Sequence, residues 1–270
     1  MNPQLITRDD RYILTPLTLL TKDLKAAAAT LSAREARYLV DGYYTLQDSR
    51  ERFEAQSRIM DKTSEPHSVL TWFGENARRL EDNIRKALLS FAQGRPEGRW
   101  ALSITGIGPV LAAGLIANID ITKSAHVSNL WSFAGFNPEA KWEKGEKRPW
   151  NPSLKVLGYK IGESFVKFQN NPNDHYGQYF RRWKDALVEK NEQGAYAQRA
   201  PEILATRRFK ADAPSVVHLK AGKLPPAHVH AMARRQVIKL FLSHYWTVAY
   251  TVHYGAAPTT RPYVFDHLGH

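Results

Sequence analysis

The sequence predicts a mainly α-helical protein in which a long antiparallel helical hairpin precedes a compact helical domain. Apolar residues recur at three- and four-residue steps over 39–60 and again over 69–91, which is the spacing of one helix face. A proline pair at 225–226 opens a third long helical pattern near the C-terminus. Of the 270 residues, 43% are hydrophobic, enough for one large domain or two modest domains with buried cores.

The hairpin is predicted at 32–94. Ser32 and Glu35 have the spacing of a capping box, in which each residue hydrogen-bonds the backbone of the other and so starts a helix. Gly94 follows the second apolar stripe and suits a helix C-cap. We therefore expect two helices joined by a short turn that contains Pro66.

Two polar residues, Arg50 and Ser57, interrupt the apolar stripe of the first hairpin helix. An interrupted stripe specifies a partner helix poorly. The hairpin is therefore either a self-stabilising strut or the contact of a homodimer or other oligomer. Residues 1–31, which contain one apolar patch broken by Pro16, are interpreted as an N-terminal arm.

A domain of shorter helices is predicted at 95–255, followed by a tail at 256–270. Its helices are expected at 100–104, 109–118, 124–135, 154–169 and after Pro226. In the helix expected at 154–169, Ile161, Phe165 and Phe168 lie on one face. The segment 171–225 is polar, basic and broken by prolines and glycines, so it is interpreted as an insert, although YFRRWKDALVEKNEQ within it is helical in pattern.

The charge of the chain favours a polyanionic partner. Lysine and arginine total 38 against 26 acidic residues, a formal net charge of +12. There is no cysteine, which excludes disulfides, thiol nucleophiles and cysteine-containing zinc sites. The start lacks the features of a signal peptide, and no apolar run approaches the roughly 18 residues of a membrane span. We expect a cytoplasmic protein that binds nucleic acid and no membrane.

The stretch SITGIGPVLAAGLIANI places a glycine turn directly before a helix start. Gly106 and Gly108 allow a backbone that can approach a ligand closely, and Pro109 suits a first helical position. The unpaired N–H groups of such a helix start attract an anion. The pattern resembles the helix-hairpin-helix motif, which holds a DNA phosphate without reading bases. That resemblance implies phosphate-binding roles for Thr105, Gly106, Ile107, Gly108 and Val110.

Two further groups of basic residues are candidate contacts to DNA. The segment 141–150 interleaves cations with tryptophans, a composition that suits phosphate contact and base stacking or, equally, a solvated loop. The last long helix carries basic residues on one side. The candidates are Lys141, Lys144, Lys147, Arg148, Arg234, Arg235 and Lys239.

No metal or other cofactor is expected. The histidines at 228 and 230 point apart on a helix, and no carboxylate lies at ligand spacing from the others. A structured RNA remains an alternative ligand to DNA, because phosphate contacts do not distinguish the two.

Three stretches together resemble a known family. SITGIGPVLAAGLIANID, SAHVSNLWSFAGFNPE and AHVHAMARRQVIKLFLSHYW are similar to the C-terminal transposase domain of the bridge-RNA-guided insertion-sequence transposases, whose N-terminal domain is a RuvC-like nuclease with four acidic residues. A coiled hairpin precedes the transposase domain in that family, as at 32–93. The resemblance implies a bacterial or phage mobile-element origin and association with the nucleoid.

The chain departs from that family in its catalytic parts. The 31 residues before Ser32 are too few for a RuvC-like domain. The family's serine nucleophile follows a Gly-hydrophobic-x-Pro segment, but no serine follows Gly135-Phe136-Asn137-Pro138 until Ser153, next to Pro152. We therefore expect no catalytic residue, with Ser153 as the weak candidate.

The resulting hypothesis is a transposase-derived DNA-binding protein that grips the phosphate backbone and is catalytically inactive alone. Two alternatives stay open. The chain is a recombinase or transposase subunit that obtains a nuclease domain in trans, or it is a non-enzymatic protein that assembles through its hairpin.

Overall fold

The computed structural model describes residues 19–60, 68–210 and 212–260, which form helices and connecting segments without a β-strand. Helix accounts for 72% of the structure. The prediction of a mainly α-helical protein is confirmed. The chain divides into two compact units, residues 1–91 and 92–270. The predicted turn at Pro66 and most of the N-terminal arm lie outside the described residues.

Three helices are seen in the described residues of the first part of the chain. These are α1 (Lys22–Ala28), α2 (Ala33–Met60) and α3 (Ser68–Gln93). The capping box is confirmed, since the Ser32 amide donates to Glu35 Oε2 at 2.8 Å and the Glu35 amide donates to Ser32 Oγ at 3.3 Å. The Ser32 amide and hydroxyl both donate to Glu35 Oε2 and lower the pKa of that carboxyl. Helix α3 ends immediately before Gly94, as predicted. Helix α1 was not predicted within the arm.

An ion-pair network joins α2 to α3 at the point where Arg50 interrupts the apolar stripe. Arg50 Nε lies 2.7 Å from Glu81 Oε1, and Arg50 Nη1 lies 2.9 Å from Glu54 Oε1. Arg78 Nη2 reaches the same Glu54 oxygen at 2.6 Å. Because residue 50 pairs with 81 and residue 54 with 78, the two helices are antiparallel. Glu81 is only 6% exposed, so the Arg50 that interrupts the apolar stripe is paired with a largely buried carboxylate.

Within residues 92–210 and 212–260, eight α-helices and a short 3-10 helix follow. They are α4 (Pro96–Ser103), α5 (Pro109–Asn118), the 3-10 helix (Ile121–Lys123), α6 (Val127–Phe133), α7 (Pro152–Phe168), α8 (His175–Glu192), α9 (Arg199–Thr206), α10 (Pro214–Lys220) and α11 (Pro226–Tyr254). The core of this unit is built around α11, which packs against α4, α6, α7 and α8.

Aromatic residues of α11 fix it in the core. Trp246 is fully buried and donates its indole N–H to the Ser124 carbonyl at 2.7 Å. From the neighbouring helix α6, Trp131 donates in return to the Lys239 carbonyl at 3.1 Å. These bonds satisfy the indole N–H groups, which would otherwise be costly to bury.

Two glycines of α7 allow close helix packing. A Cβ on Gly158 would lie 2.6 Å from the Phe136 ring, and one on Gly162 would lie 2.7 Å from Ile238 Cδ1 of α11. Helices α7 and α11 therefore approach more closely than larger residues would permit. Both helices contribute side chains to the site described below.

Several details of the predicted domain are corrected. The segment 171–225 is no separate polar insert, because α8 places Tyr176 and Phe180 in the common core at 2% and 0% exposure. Phe168 was predicted on one face of α7 with Ile161 and Phe165; those two are fully buried, whereas Phe168 is 43% exposed because it occupies the last turn of the helix. Helices α9 and α10 were not predicted, since each is too short for a clear periodic pattern.

The ion-pair network predicts unequal effects of two adjacent substitutions. Glu81→Gln removes the acceptor of a largely buried charged hydrogen bond and should lower the free energy of unfolding by about 1–3 kcal/mol. The control Asp82→Asn breaks an exposed pair with Arg85 and should cost about 0.5 kcal/mol or less. Urea denaturation followed by circular dichroism measures both, and equal effects would contradict this role of Glu81.

Candidate nucleic-acid interface

The glycine turn connects α4 to α5 and is anchored from both sides. Gly106 has φ +86°, a conformation that favours glycine, and its carbonyl accepts a hydrogen bond from Ser164 Oγ at 2.6 Å. Ile107 is 4% exposed and belongs to the hydrophobic core. Thr105 Oγ1 donates to the Asn173 carbonyl at 3.4 Å. Ile107 therefore packs inward while the turn itself remains half-buried.

Three amide groups at the start of α5 face no acceptor in the described part of the chain. They belong to Gly108, Val110 and Leu111, since the first bond of the helix runs from the Ala112 amide to the Gly108 carbonyl. A Cβ at Gly108 would have no atom within 4 Å, so the backbone is approachable there. These amide N–H groups can donate hydrogen bonds to one anionic oxygen.

The surface beside the turn is not strongly basic. A groove of about 460 Å³ lies against Ser103, Ile104 and Thr105 and contains Asp174 and His244, but its lining includes no lysine or arginine. Burial raises the pKa of Asp174, the residue before α8. The turn thus offers amide groups and a helix dipole, and the lining of the groove beside it adds no cation.

A concentration of positive charge lies elsewhere, in a cavity of about 400 Å³ that we call the basic groove. It is bounded by α7, α9, α11 and the segment 135–138, which precedes the tryptophan loop at 141–150. The lining residues include five cations and a histidine but no aspartate or glutamate. The six are Lys155, Arg199, Arg207, His228, Arg235 and Lys239.

Local structure places these cations at the groove. Asn151 caps α7 by accepting from the Leu154 amide at 3.0 Å, which sets Lys155 in the first turn. The Lys155 ammonium lies 3.8 Å from the centre of the Trp150 ring, and the Lys239 ammonium lies 4.1 Å from that of Trp131. These cation–π contacts hold two flexible side chains against rings at the edge of the groove.

The basic groove perturbs the groups inside it. Burial lowers the pKa of Lys155, and the nearby Arg148 guanidinium lowers it further. Burial also lowers the pKa of His228, and the charges of Arg199, Arg235 and Arg207 add to the effect. A histidine whose protonation is opposed by three guanidinium groups marks a region of positive potential in which an anion would be stabilised.

The glycine turn and the basic groove lie on different sides of α7. Ser164, which contacts the turn, comes nine residues after Lys155, which lines the groove. Nine residues correspond to about 180° around an α-helix. The structure therefore does not combine the turn and these cations into a single phosphate cradle.

The predicted basic residues separate into three groups. Arg235 and Lys239 line the basic groove. Arg234 points away to α7, where its Nη1 lies 3.2 Å from Glu163 Oε1. Lys141, Lys144 and Lys147 are exposed and do not line the groove.

The tryptophan loop borders the groove and is internally ordered. Arg148 stacks over the Trp142 ring at 4.9 Å, and Trp142 donates its indole N–H to the Glu146 carbonyl at 2.7 Å. At the other end, Trp150 packs against Gly135, which lines the groove. Each of these two tryptophans has a cation on one ring face, so neither is an uncovered stacking platform.

Four groove residues were not among the predicted site residues: Lys155, Arg199, Arg207 and His228. They come from distant parts of the sequence and are joined only by tertiary packing. One signal in the sequence could have indicated Lys155 as a site residue. It lies four residues after the N-cap Asn151, on the helix that buries Leu154 and Leu157.

Ser153 is the second residue of α7 and is exposed. It does not line the basic groove, although Lys155 two residues later does. Over the described ranges, no three His, Asp or Glu side chains are grouped to hold a metal ion. The helices seen in those ranges include none with the length and apolarity needed to cross a membrane. Comparison with protein-family models, curated proteins and solved structures finds no match to this chain.

The lowered pKa of His228 predicts a pH dependence of stability. Unfolding returns the imidazole to an ordinary pKa near 6.5, so below that pH the unfolded state binds more protons than the folded state. The contribution of His228 to the free energy of unfolding should fall as the pH drops below 6.5. The pKa of His230 is lowered too, by burial, Lys184 and Arg234.

Urea denaturation at pH 5.5, 6.5 and 7.5 measures the predicted pH dependence of the free energy of unfolding. His228→Gln should reduce the slope of stability against pH, and adding His230→Gln should reduce it further. A wild-type slope in the double variant would contradict the assignment.

Proposed function

We propose that this protein binds DNA through the phosphate backbone, with the basic groove as its principal contact. The observation that carries the proposal is the convergence of Lys155, Arg199, Arg207, Arg235 and Lys239 on one concave surface whose lining contains no carboxylate. Such a lining attracts a polyanion, and a polyphosphate that binds there releases its own condensed cations. The net charge of +12 supports attraction of DNA over longer distances.

The helix-hairpin-helix-like turn supplies a second, separate contact in this proposal. The unclaimed amides at Gly108, Val110 and Leu111 suit one phosphate oxygen. Because the turn and the groove lie on different sides of α7, the two contacts belong to different phosphates, reached by a bent strand or by two DNA segments. Neither contact reads bases, so binding is weakly sequence-selective and strongly dependent on salt.

We further propose that the chain is transposase-derived and lacks strand-transfer activity of its own. Support comes from the sequence resemblance described above and from the segment Gly135–Pro138, which lines the basic groove. The family's serine is missing after that segment, and the weak candidate Ser153 lies outside the groove. The resemblance, the basic groove and the missing serine together favour a protein that binds DNA without a catalytic nucleophile.

A salt titration of DNA binding tests the role of the groove. Each phosphate contact should contribute about −0.9 to the slope of log affinity against log salt concentration. The variant Arg207→Gln, Arg235→Gln should weaken duplex binding about tenfold or more at low salt and make the slope shallower by about 2.

The matched control Lys25→Gln, Lys190→Gln removes the same charge from two helix positions that do not line the groove, of which Lys25 is partly exposed and Lys190 exposed. Fluorescence anisotropy with an internally labelled duplex gives both quantities. Equal slopes and affinities for the two double variants would show that the interaction depends on net charge and not on the groove.

A substitution at Gly108 tests the turn independently. Its φ of −88° and open surroundings suit an N-cap side chain, so both Gly108→Asp and Gly108→Asn should preserve or raise stability. Only the aspartate places a negative charge at the proposed phosphate position. Gly108→Asp should therefore bind duplex DNA several-fold more weakly than Gly108→Asn. Equal affinities of these two variants would remove the turn from the interface and leave the groove.

A further inference from the structure

A second cavity opens beside the basic groove and differs from it in character. It encloses about 310 Å³ and is lined largely by apolar side chains. These include Ile203, Phe209, Leu219, Pro225, Ala227 and Ala231. Arg207, His228 and Arg235 line both cavities and so form the boundary between them. We call the second cavity the apolar pocket.

We propose that the two cavities together hold the phosphorylated end of a nucleic-acid strand, with the terminal phosphate at Arg199, Arg207 and Arg235 and the terminal nucleobase in the apolar pocket. This inference rests on the proposed function and names the part of the nucleic acid that the basic groove prefers. It concerns a phosphomonoester on an unpaired terminal nucleotide.

Three guanidinium groups from separate positions line one cavity together with the His228 imidazole. Arg199 begins α9, Arg207 follows its last residue and Arg235 lies in α11. Internal phosphodiesters each carry one negative charge and are spaced along a strand. A terminal phosphomonoester carries up to two charges and a third anionic or acceptor oxygen, which matches several convergent donors.

The imidazole of His228 is unsatisfied at this boundary. Its Nε2 atom is buried and has no hydrogen-bond partner in the described residues. An isolated buried nitrogen of this kind is costly unless a ligand or water completes it. A phosphate oxygen at the boundary would accept a hydrogen bond from Nε2, and its negative charge would favour the protonated ring.

The apolar pocket suits a flat aromatic group. Phe209 is half-buried and lies three residues after the end of α9, and Leu219 of α10 lines the same pocket with 1% exposure. Phosphate binding alone does not require such a pocket. Stacking of one base on an aromatic side chain adds affinity, which makes a terminal nucleotide a better occupant than inorganic phosphate.

The test compares strand ends of equal length and sequence. Internally labelled single-stranded DNA is prepared with a 5′-phosphate, a 3′-phosphate, hydroxyl groups at both ends, or as a closed circle, and binding is measured at moderate salt. One phosphorylated linear form should bind about tenfold more tightly than the hydroxyl and circular forms. A deoxynucleoside monophosphate should compete for that extra affinity at lower concentration than inorganic phosphate.

The outcomes separate this inference from the proposed function. Equal, salt-dependent binding of all four DNAs would overturn strand-end recognition and leave backbone binding intact. Absence of binding to every DNA, duplex included, would overturn both.

Variants assign any end preference to the apolar pocket. Phe209→Ala should abolish the tenfold preference while keeping the affinity for circular DNA, and Phe209→Tyr should restore most of the preference. The control Arg208→Gln changes an exposed neighbour that lines neither cavity and should keep the full preference. An undiminished preference in folded Phe209→Ala would contradict placement of the base in this pocket.

Discussion

The close packing of α7 against α11 is the constraint on which the site depends. Gly158 and Gly162 leave room for the Phe136 ring and for Ile238, where larger residues would force the helices apart. The same two helices carry Lys155 on one wall of the basic groove and Arg235 with Lys239 on another. The spacing of these cations therefore follows from the spacing of two helix backbones, which the core holds fixed.

That arrangement has an electrostatic cost. Five cations line a cavity whose lining has no carboxylate, and the pKa of His228 among them is lowered by burial and then by the charges of Arg199, Arg235 and Arg207. Acidic side chains are used elsewhere in the same domain, where Glu163 pairs with Arg234 only a short distance along α7. A concave lining that gathers cations and contains no carboxylate is characteristic of a surface that can bind an anion.

Most of the helices could be predicted from the sequence, but only part of the candidate site could. Periodicity and capping residues predicted the hairpin helices and α5, because those signals are local. The role of Arg50 was not predictable, since its acceptor Glu81 is brought close only by the antiparallel pairing. Clustering of basic residues along the chain predicted Arg234 and Lys141 as DNA contacts in the same way as Arg235. Only tertiary packing shows that Arg235 meets Arg199 and Arg207, which the chain presents from other helices.

The most direct test of the central claim is lysine footprinting of the intact protein with and without duplex DNA. Acetylation rates are read by mass spectrometry at Lys155 and Lys239 in the groove, and at Lys25 and Lys190 outside it. Saturating DNA should slow modification of the first pair several-fold and leave the second pair unchanged. Protection of neither Lys155 nor Lys239 by bound DNA would contradict the assignment of the basic groove as the DNA-binding surface.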